Sequence, residues 1–304
     1  MSSRKKTSER PQSQARIGGE APAASLAGPG TLYVVATPIG NLEDITLRAV
    51  RVLKEVALIA AEDTRCTRKL LTRYGIGTPV VSYYREKEAE RGREIVGHLL
   101  AGRDVALVSD AGTPGVSDPG AVLVELCRAQ EIPVVPIPGP SSLTALLSVA
   151  GRPFTPFLFL GFLPSRAGER RKLLASLAGI PQALVFFESP RRARSSLADC
   201  LELLGDREAL AARELTKVHE EIRGESLSGL LAWLADRETV KGELVVAVAG
   251  AREERGARGG DLRGLLISCR ESGLTLRDAV KRAAGELGLS RSAVYQEALA
   301  LWKE

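Results

Sequence analysis

Short apolar runs alternate with amphipathic stretches from Thr31 to about residue 150. The apolar runs are bounded by Gly, Pro and Asp and predict strands, whereas the stretches between them predict helices. The predicted strands are Leu32–Ala36, Val56–Ala61, Pro79–Ser82, Val105–Val108 and Pro133–Ile137. The predicted helices cover about 45–54, 65–74, 86–101 and 120–130. This repeated alternation favours a parallel sheet covered by helices, in an α/β domain over 31–151.

A second set of elements follows a predicted helix at Ser141–Val149 and a predicted linker at Gly151-Arg152-Pro153. Its predicted strands are Phe157–Gly161, Leu184–Phe187, Ala209–Arg213 and Glu243–Val248, with helices between them. We therefore expect a second α/β domain over 152–250.

Both ends of the chain differ from this pattern. Residues 1–30 are polar and basic and predict a disordered tail. Residues 251–260 are charged and glycine-rich, as in a linker. In 261–304, Thr275 and Asp278 form a variant capping box, and Ser290 follows a glycine turn as a helix cap. These features predict a small helix-turn-helix-like domain.

The charges are unevenly distributed. The net charge is +5. Residues 1–30 carry five basic and two acidic residues, and residues 251–304 carry ten basic and eight acidic residues. Residues 31–250 therefore hold 27 charges of each sign. The central domains are therefore not a general polyanion-binding surface. Two local clusters, 65–73 and 191–194, are open to interpretation either as solvated helix faces or as phosphate contacts.

Other compositional features narrow the class of protein. The four cysteines are scattered, without the paired spacing of a metal site or a disulfide framework. No apolar run is long enough to span a membrane, and the N-terminus lacks the apolar region of a secretory signal. We expect a cytoplasmic protein without a metal centre.

Three loops follow strands of the first predicted domain, at Thr37–Asp44, Glu62–Arg65 and Asp110–Gly120. In an open α/β sheet, ligands bind at the carboxyl ends of the strands, where these loops lie. The first loop lacks the Gly-Lys-Ser/Thr of a nucleotide P-loop. The second is either a helix cap or a substrate-facing acid/base cluster.

The third loop combines Gly112, Gly115 and Gly120 with Pro114 and Pro119. Its glycines allow positive φ and close backbone approach, and its prolines remove amides that a pyrophosphate would need. It contains no G-x-G-x-x-G, so a ligand without phosphates, such as S-adenosylmethionine, fits better than a dinucleotide.

Eight segments in order resemble one known family. They are TPIGNLEDIT, AAEDTR, VSDAGTPGVSDPG, PGPSSLTALL, GFLP, FFESPRR, ARELTKVHEE and GELVVAVAG. Together they are similar to the type I small-subunit ribosomal RNA methyltransferases, within the tetrapyrrole methylase superfamily. The resemblance covers about 31–250, and the helical tail is similar to the small C-terminal domain of that group.

The resemblance implies two α/β domains with S-adenosylmethionine in the cleft between them, usually in a homodimer. It implies transfer of a methyl group to the ribose 2′-hydroxyl of a cytidine in the decoding region of 16S rRNA, on the 30S subunit. The cofactor-binding residues that it implies are Pro38, Asp110, Ala111, Gly112, Val116, Ser141, Ser142, Phe187, Leu215, Val246 and Ala247.

Methyl transfer to a ribose hydroxyl requires in-line alignment and loss of the hydroxyl proton, so positioning groups and a general base are expected. The predicted catalytic residues are Glu62, Asp63, Arg65, Glu214 and Lys217, with Glu188 and His219 as further titratable candidates. The sequence does not choose the base among them. The predicted RNA-binding residues are Arg191, Arg192 and Arg194.

Two other functions compete with this one. A tetrapyrrole methyltransferase of the same fold would act on a small macrocycle, which needs neither the arginine clusters nor the helical tail. A non-enzymatic ribosome- or DNA-binding protein could use the tail helices, but it would not need the intact set of cleft motifs. Cofactor binding separates the last function from the other two.

Overall fold

The protein is described from a computed structural model. The structure describes residues 28–151, 154–235, 237, 242–251, 262–287 and 289–303. The chain divides into two compact units. The first contains Thr46–Pro138 and the described residues up to Thr37, and the second contains Pro38–Ile45 and the described residues from Gly139 onward. The predicted basic tail lies outside the described residues up to position 27, and the predicted linker lies outside them from position 252.

The first unit is built on a five-stranded parallel sheet. Its strands are β1 (Leu32–Val35), β2 (Leu58–Ala61), β3 (Val80–Ser82), β4 (Val105–Val108) and β5 (Val134–Ile137). They pair in the order β3-β2-β4-β1-β5. The central strand β4 and its neighbour β2 are buried along their whole length, as expected for a sheet covered on both faces. The predicted parallel α/β fold is confirmed, with strand boundaries within two residues.

Helices join these strands. They are α1 (Leu47–Glu55), α2 (Thr64–Arg73), α3 (Glu88–Leu100) and α4 (Ala121–Ala129). One core cluster packs Leu99 and Leu123 of the helices against Leu32, Val105 and Leu107 of the strands. Because every strand runs in the same direction, all the loops that follow the strands leave from one edge of the sheet.

The second unit also has a five-stranded sheet, but most of its strands are antiparallel. The strands are β6 (Phe157–Phe162), β7 (Ala183–Glu188), β8 (Glu208–Arg213), β9 (Glu221–Ser226) and β10 (Leu244–Val248), in the order β6-β7-β10-β8-β9. The helices are α5 (Ser142–Ser148), α6 (Ala167–Leu177), α7 (Ala193–Leu204) and α8 (Leu227–Ala235). Helices α6 to α8 cover one face of the sheet, and α5 contributes to the cluster on the other.

The remaining described residues form three helices, α9 (Leu262–Glu271), α10 (Leu276–Leu287) and α11 (Arg291–Lys303). They share a core of their own that includes Leu266, Ala283 and Val294. Both predicted caps are present, since Thr275 Oγ1 accepts from the Asp278 amide at 3.2 Å and Ser290 Oγ accepts from the Ala293 amide at 3.3 Å. Within the described part of the chain, no helix is both long and apolar enough to cross a membrane.

Candidate active site

Acidic side chains meet where the neighbouring strands β2 and β4 end. Asp110 Oδ1 accepts a hydrogen bond from the Asp63 amide at 3.0 Å, and the Asp110 amide lies 3.5 Å from Glu62 Oε2. The structure therefore brings together Glu62, Asp63 and Asp110, which the sequence placed on two separate loops. The parallel pairing of β2 with β4 produces this arrangement.

Asp63 is both a helix cap and the partner of an arginine. Its Oδ1 accepts from the Arg65 amide at 2.7 Å at the start of α2, and Arg65 binds the same carboxylate with Nε and with a terminal nitrogen at 2.7 Å. These hydrogen bonds lower the pKa of Asp63 to about 2. Asp63 is therefore ionised near neutral pH and is a weak base, better suited to orienting Arg65 than to accepting a proton.

The pKa of Asp110 is shifted in the opposite direction. Asp110 is exposed as a residue, but partial loss of solvent around its carboxyl group is the main cause of a raised pKa, to which the nearby charge of Asp63 contributes. The carboxylates of Asp63 and Asp110 lie with the exposed Cys66 thiol in a group whose ligand-type atoms are within 4.8 Å of one another. Both Asp63 oxygens are already hydrogen-bonded to Arg65.

The glycine-rich loop after β4 is fixed to the end of β1 by backbone hydrogen bonds. The Thr37 amide donates to Gly112 O at 2.8 Å, and the Gly112 amide donates to Thr37 O at 3.0 Å. Gly112 has φ +76°, and Gly115, Ser117 and Gly120 also have positive φ. The loop is therefore a shaped stretch of backbone, in which Val116 presents an apolar side chain to solvent.

The sequence analysis missed the residues that hold this loop from outside. Glu88 Oε1, at the start of α3, accepts from the Gly120 amide at 2.8 Å. Arg85 donates to Ser117 O at 3.1 Å, and the buried Tyr83 hydroxyl lies 3.4 Å from the same Glu88 oxygen. The only signal in the sequence is the polar run that follows β3, which resembles any other solvated loop.

Two motifs that are distant in sequence meet in the second unit. The Asn41 amide donates to Thr216 Oγ1 at 3.0 Å, and the Thr216 amide donates to Glu220 Oε2 at 2.7 Å. A Cβ on Gly40 would lie 2.7 Å from Leu215 O and 2.8 Å from Thr216 Oγ1, so only glycine allows this approach. The loop that carries Lys217 is thus fixed against residues that follow β1.

Two predicted catalytic residues are paired in this loop. Lys217 Nζ lies 2.8 Å from Glu214 Oε1, and Glu214 is the less exposed of the two. Glu214 and Thr216 have φ of +54° and +63°, which is costly for residues other than glycine. Their side chains hold Lys217 and Asn41, which explains why glycine does not stand at these positions. His219, at the tip of the loop, is exposed.

The predicted cofactor residues of the second unit do not all share one face of its sheet. Phe187, Leu215 and Ala247 belong to one apolar cluster, and Phe187 makes edge contacts with Phe159 and Phe162 at 5.0 and 5.5 Å between ring centres. Val246 points to the opposite face, into the core under α6 to α8. The side chain of Val246 therefore lies on the other face from those of Phe187 and Ala247, because adjacent strand residues alternate between faces. Its role in cofactor binding stays a prediction.

The two remaining groups of predicted residues differ in accessibility. Pro38, ahead of Gly40, is buried, and Ser141 and Ser142, at the start of α5, are partly buried. Ala111 is exposed beside Asp110. The serines lie on the helix that contributes Leu146 to the apolar cluster containing Phe187.

The arginines predicted to bind RNA are engaged to different degrees. Arg192 pairs with the buried Glu188 at 2.7 Å and donates to Leu163 O, and Arg194 donates to Leu234 O at 2.7 Å. Arg191 and Arg194 are exposed, whereas Arg192 is partly buried. Glu188 also accepts from Ser189 and Ser196, so it is a structural anchor at the end of β7 rather than an available base.

Comparisons with known proteins identify the family. The model of the tetrapyrrole (corrin/porphyrin) methylases matches residues 31–231. The chain belongs to this family. It is 46% identical over 277 residues to a ribosomal RNA small subunit methyltransferase I of Pseudomonas aeruginosa, covering 89% of this chain and 97% of the relative. A relative of the same name from Vibrio cholerae is 43% identical over 273 residues, covering 88% and 94% of the two chains.

The tetrapyrrole methylase fold is also found in a solved structure of a uroporphyrin-III C-methyl transferase from Thermus thermophilus, complexed with S-adenyl homocysteine. It is 25% identical, covers 72% of this chain and 97% of its own, and has a TM-score of 0.51. The predicted family and fold class are confirmed.

Proposed function

We propose that this chain is an S-adenosylmethionine-dependent methyltransferase that modifies small-subunit ribosomal RNA. The observation that carries the proposal is its identity of 42–46% to relatives named ribosomal RNA small subunit methyltransferase I, over about nine-tenths of the chain in most cases. The acceptor we propose is the ribose 2′-hydroxyl of a cytidine in the decoding region of 16S rRNA, on the 30S subunit.

The residues of the first unit fit S-adenosylmethionine. The loop Asp110–Gly120 offers a backbone surface bent by Gly112 and Gly115, together with an apolar side chain at Val116. It has an exposed carboxylate at Asp110, whose charge suits a positively charged ligand. Pro114 and Pro119 remove amides that a phosphate-bearing ligand would require.

In the second unit, we assign the adenosine part to the partly exposed Phe187, which packs on the buried Leu215 and Ala247, and to Ser141 and Ser142. When bound, the cofactor supplies an electrophilic methyl group on a sulfonium. The chain's own part is to hold the acceptor hydroxyl in line and to take up its proton.

We assign proton handling to the Glu214–Lys217 pair and positioning to Asp63 and Arg65. The low pKa of Asp63 argues against a role as base, whereas the 2.8 Å contact holds Lys217 Nζ in a defined place. Glu62, beside Asp110, belongs to the positioning group. A general base of this kind contributes about 10²–10⁴-fold to a rate.

A tetrapyrrole methyltransferase is the second candidate, because solved structures with that activity share the fold. Those structures are 16–25% identical to the chain, whereas the curated ribosomal RNA methyltransferases are 42–46% identical. The difference in identity favours the RNA substrate.

The decisive experiment is transfer of a radiolabelled methyl group from S-adenosylmethionine to 30S subunits that lack their own ribose methylation. Label recovered as 2′-O-methylcytidine is the expected result. Cofactor binding without label in 30S subunits or in 16S rRNA, combined with transfer to a porphyrinoid, would establish the second candidate instead.

The partners and compartment follow from this activity. We propose that the enzyme acts in the cytoplasm, where ribosomal subunits are assembled, and that it works as a homodimer. Sedimentation equilibrium of the purified chain tests the dimer, for which a mass of twice 32.4 kDa is expected.

A further inference from the structure

Helix α2 has a solvent face that carries positive charge only. Thr67, Leu70 and Leu71 are buried against the first unit. The opposite side of the helix exposes Arg65, Arg68, Lys69, Thr72 and Arg73. No acidic residue occurs between Thr64 and Arg73. We call Arg68, Lys69 and Arg73 the α2 stripe.

Each of the other helices of the first unit contains at least one acidic residue. Arg51 pairs with Glu55 at 3.1 Å in α1, and Arg91 pairs with Glu94 at 2.6 Å in α3. Helix α4 contains Glu125 beside its single arginine. Within the described residues, the α2 stripe makes no ion pair. Helix α2 differs from its neighbours because it carries four cations and no acidic residue.

Folding does not account for this concentration of charge. Arg65, Lys69 and Arg73 follow one another at intervals of four residues, the spacing at which like charges destabilise a helix. The cap at Asp63 neutralises Arg65 alone. A local feature that works against the stability of its own helix is expected where a ligand compensates for it.

The stripe begins at the candidate active site. Helix α2 starts directly after Asp63, whose amide is bonded to Asp110. At about 1.5 Å per residue, the helix carries its cations about 13 Å outward from that point. A substrate that reaches the acidic cluster along α2 therefore meets a continuous row of cations.

We propose that the α2 stripe binds the sugar-phosphate backbone of the RNA substrate next to the methylated nucleotide. This inference rests on the proposed function, because it takes ribosomal RNA as the polyanion. Three flexible cations on a helix without acidic residues suit backbone contacts that carry no sequence information. The stripe thus strengthens binding and positions the substrate, while other residues select the nucleotide.

The test is a matched pair of triple variants of the full chain. One is Arg68→Gln with Lys69→Gln and Arg73→Gln. The control is Arg51→Gln with Arg166→Gln and Arg282→Gln, which removes the same charge from exposed arginines that already have acidic partners. Binding to 30S subunits and to naked 16S rRNA is measured over a range of salt concentrations, beside S-adenosylmethionine affinity.

We expect the stripe variant to bind RNA at least about tenfold more weakly and to lose about 0.7–0.9 of salt slope per phosphate contact removed. The control should keep nearly the wild-type slope, and both variants should keep wild-type cofactor affinity. The charge-preserving variant Arg68→Lys with Arg73→Lys should bind like wild type.

Equal salt slopes for the stripe variant and the control would overturn the inference while leaving the proposed function intact. If the stripe variant lost binding to 30S subunits but not to naked 16S rRNA, the stripe would contact a ribosomal protein, which also overturns it. If the wild-type chain neither bound nor methylated small-subunit RNA, the proposed function would fail, and the inference with it.

Cys66 allows an independent test of where helix α2 lies on the bound RNA. It is the exposed member of the four cysteines and lies on α2, whereas Cys127, Cys200 and Cys269 are buried. A tethered iron chelate on Cys66 should cleave 16S rRNA close to the methylated nucleotide. Cleavage confined to distant regions, or no cleavage in a complex shown to form, would contradict the proposal.

Discussion

Two loops of this protein bend through left-handed backbone, but with different residues. The loop after β4 uses Gly112, Gly115 and Gly120, together with Ser117. The loop after β8 uses Glu214 and Thr216, for which positive φ costs of the order of 1 kcal/mol each. The first loop provides backbone, since glycine has no side chain. The second loop needs both a bend and side chains at the same positions.

This difference separates two ways of building a site. A glycine loop is easily reshaped and must be held from outside, as Glu88 and Arg85 hold this one. The second loop is held by its own side chains, through the Thr216 contact to Asn41 and the Glu214 contact to Lys217. Substitutions in the first loop should therefore lower cofactor affinity, whereas substitutions in the second should lower the rate of the chemical step.

The largest expected effect comes from the second loop. Lys217→Met and Glu214→Gln should each lower kcat by about 10²-fold or more. Each variant removes one member of the pair that we assign to uptake of the acceptor hydroxyl's proton. S-adenosylmethionine affinity should stay near that of the wild type. His219→Ala is the control in the same exposed loop, with a change below about threefold. Wild-type turnover in both paired variants would remove this loop from the chemistry.

In the glycine loop, Gly112→Val should act on binding. A β-branched residue at φ +76° costs about 1–3 kcal/mol. It should also weaken the backbone bridge to Thr37, so we expect at least about a tenfold loss of cofactor affinity by calorimetry, since each 1.4 kcal/mol is tenfold. Gly77→Val, at a glycine with open space, is the matched substitution. Unchanged affinity for Gly112→Val would exclude this loop from the cofactor site.

The contact that holds the second loop can be tested at Gly40. A Cβ there would lie 2.5 Å from Lys217 Cγ and 2.7 Å from Leu215 O, so Gly40→Ala should displace the loop. We expect about a tenfold fall in kcat, since small misplacements of reacting groups are costly. Gly179→Ala, where nothing lies within 4 Å, serves as control. If the two substitutions had the same effect on kcat, the contact would not position Lys217.

The outside support of the glycine loop should give a smaller effect. Glu88→Gln replaces the charged acceptor of the Gly120 amide with a neutral one and should cost about 1 kcal/mol of unfolding free energy. Cofactor affinity should fall a few-fold, while kcat at saturation is maintained. Glu90→Gln, exposed on the same helix, is the comparison in urea unfolding. A loss of kcat without a loss of affinity would contradict the division of roles between the loops.

The smallest effect is a pH dependence with opposite signs at two neighbouring aspartates. The pKa of Asp110 is raised, so its ionised form destabilises the folded state, and stability falls as pH rises through that pKa. Asp110→Asn should therefore be more favourable relative to wild type near neutral pH than in acid. The pKa of Asp63 is lowered to about 2 from 3.8, so its contribution is present above 3.8 and lost as pH falls toward 2. Urea unfolding near neutral pH and in acid would show whether the two carboxyl groups change the free energy of unfolding in opposite directions.

Much of the first unit could be predicted because its apolar strands and glycine turns are visible in the sequence. The strand Val105–Val108 was predicted with its observed boundaries. By contrast, β9 was missed, since EIRGES lies at a sheet edge with a mostly exposed, polar surface. The antiparallel pairing of the second sheet was not predicted either, because strand direction depends on connections that local patterns do not encode.

Long-range contacts of the candidate site were also beyond local patterns. Nothing near Glu88 indicates that it holds Gly120, and nothing near Asn41 points to Thr216, 175 positions away. The opposite orientation of Val246 and Ala247 follows from strand alternation alone, so it could be predicted from the sequence once the strand was accepted.

The contact between Gly40-Asn41 and Thr216 limits how the gene can recombine with those of its relatives. The segment 38–45 comes early in the gene but folds with the later unit. Recombination at residue 138 would transfer the later unit without the partner that its loop requires. The two segments therefore have to be exchanged together, and exchange between divergent relatives should succeed only when both come from the same parent.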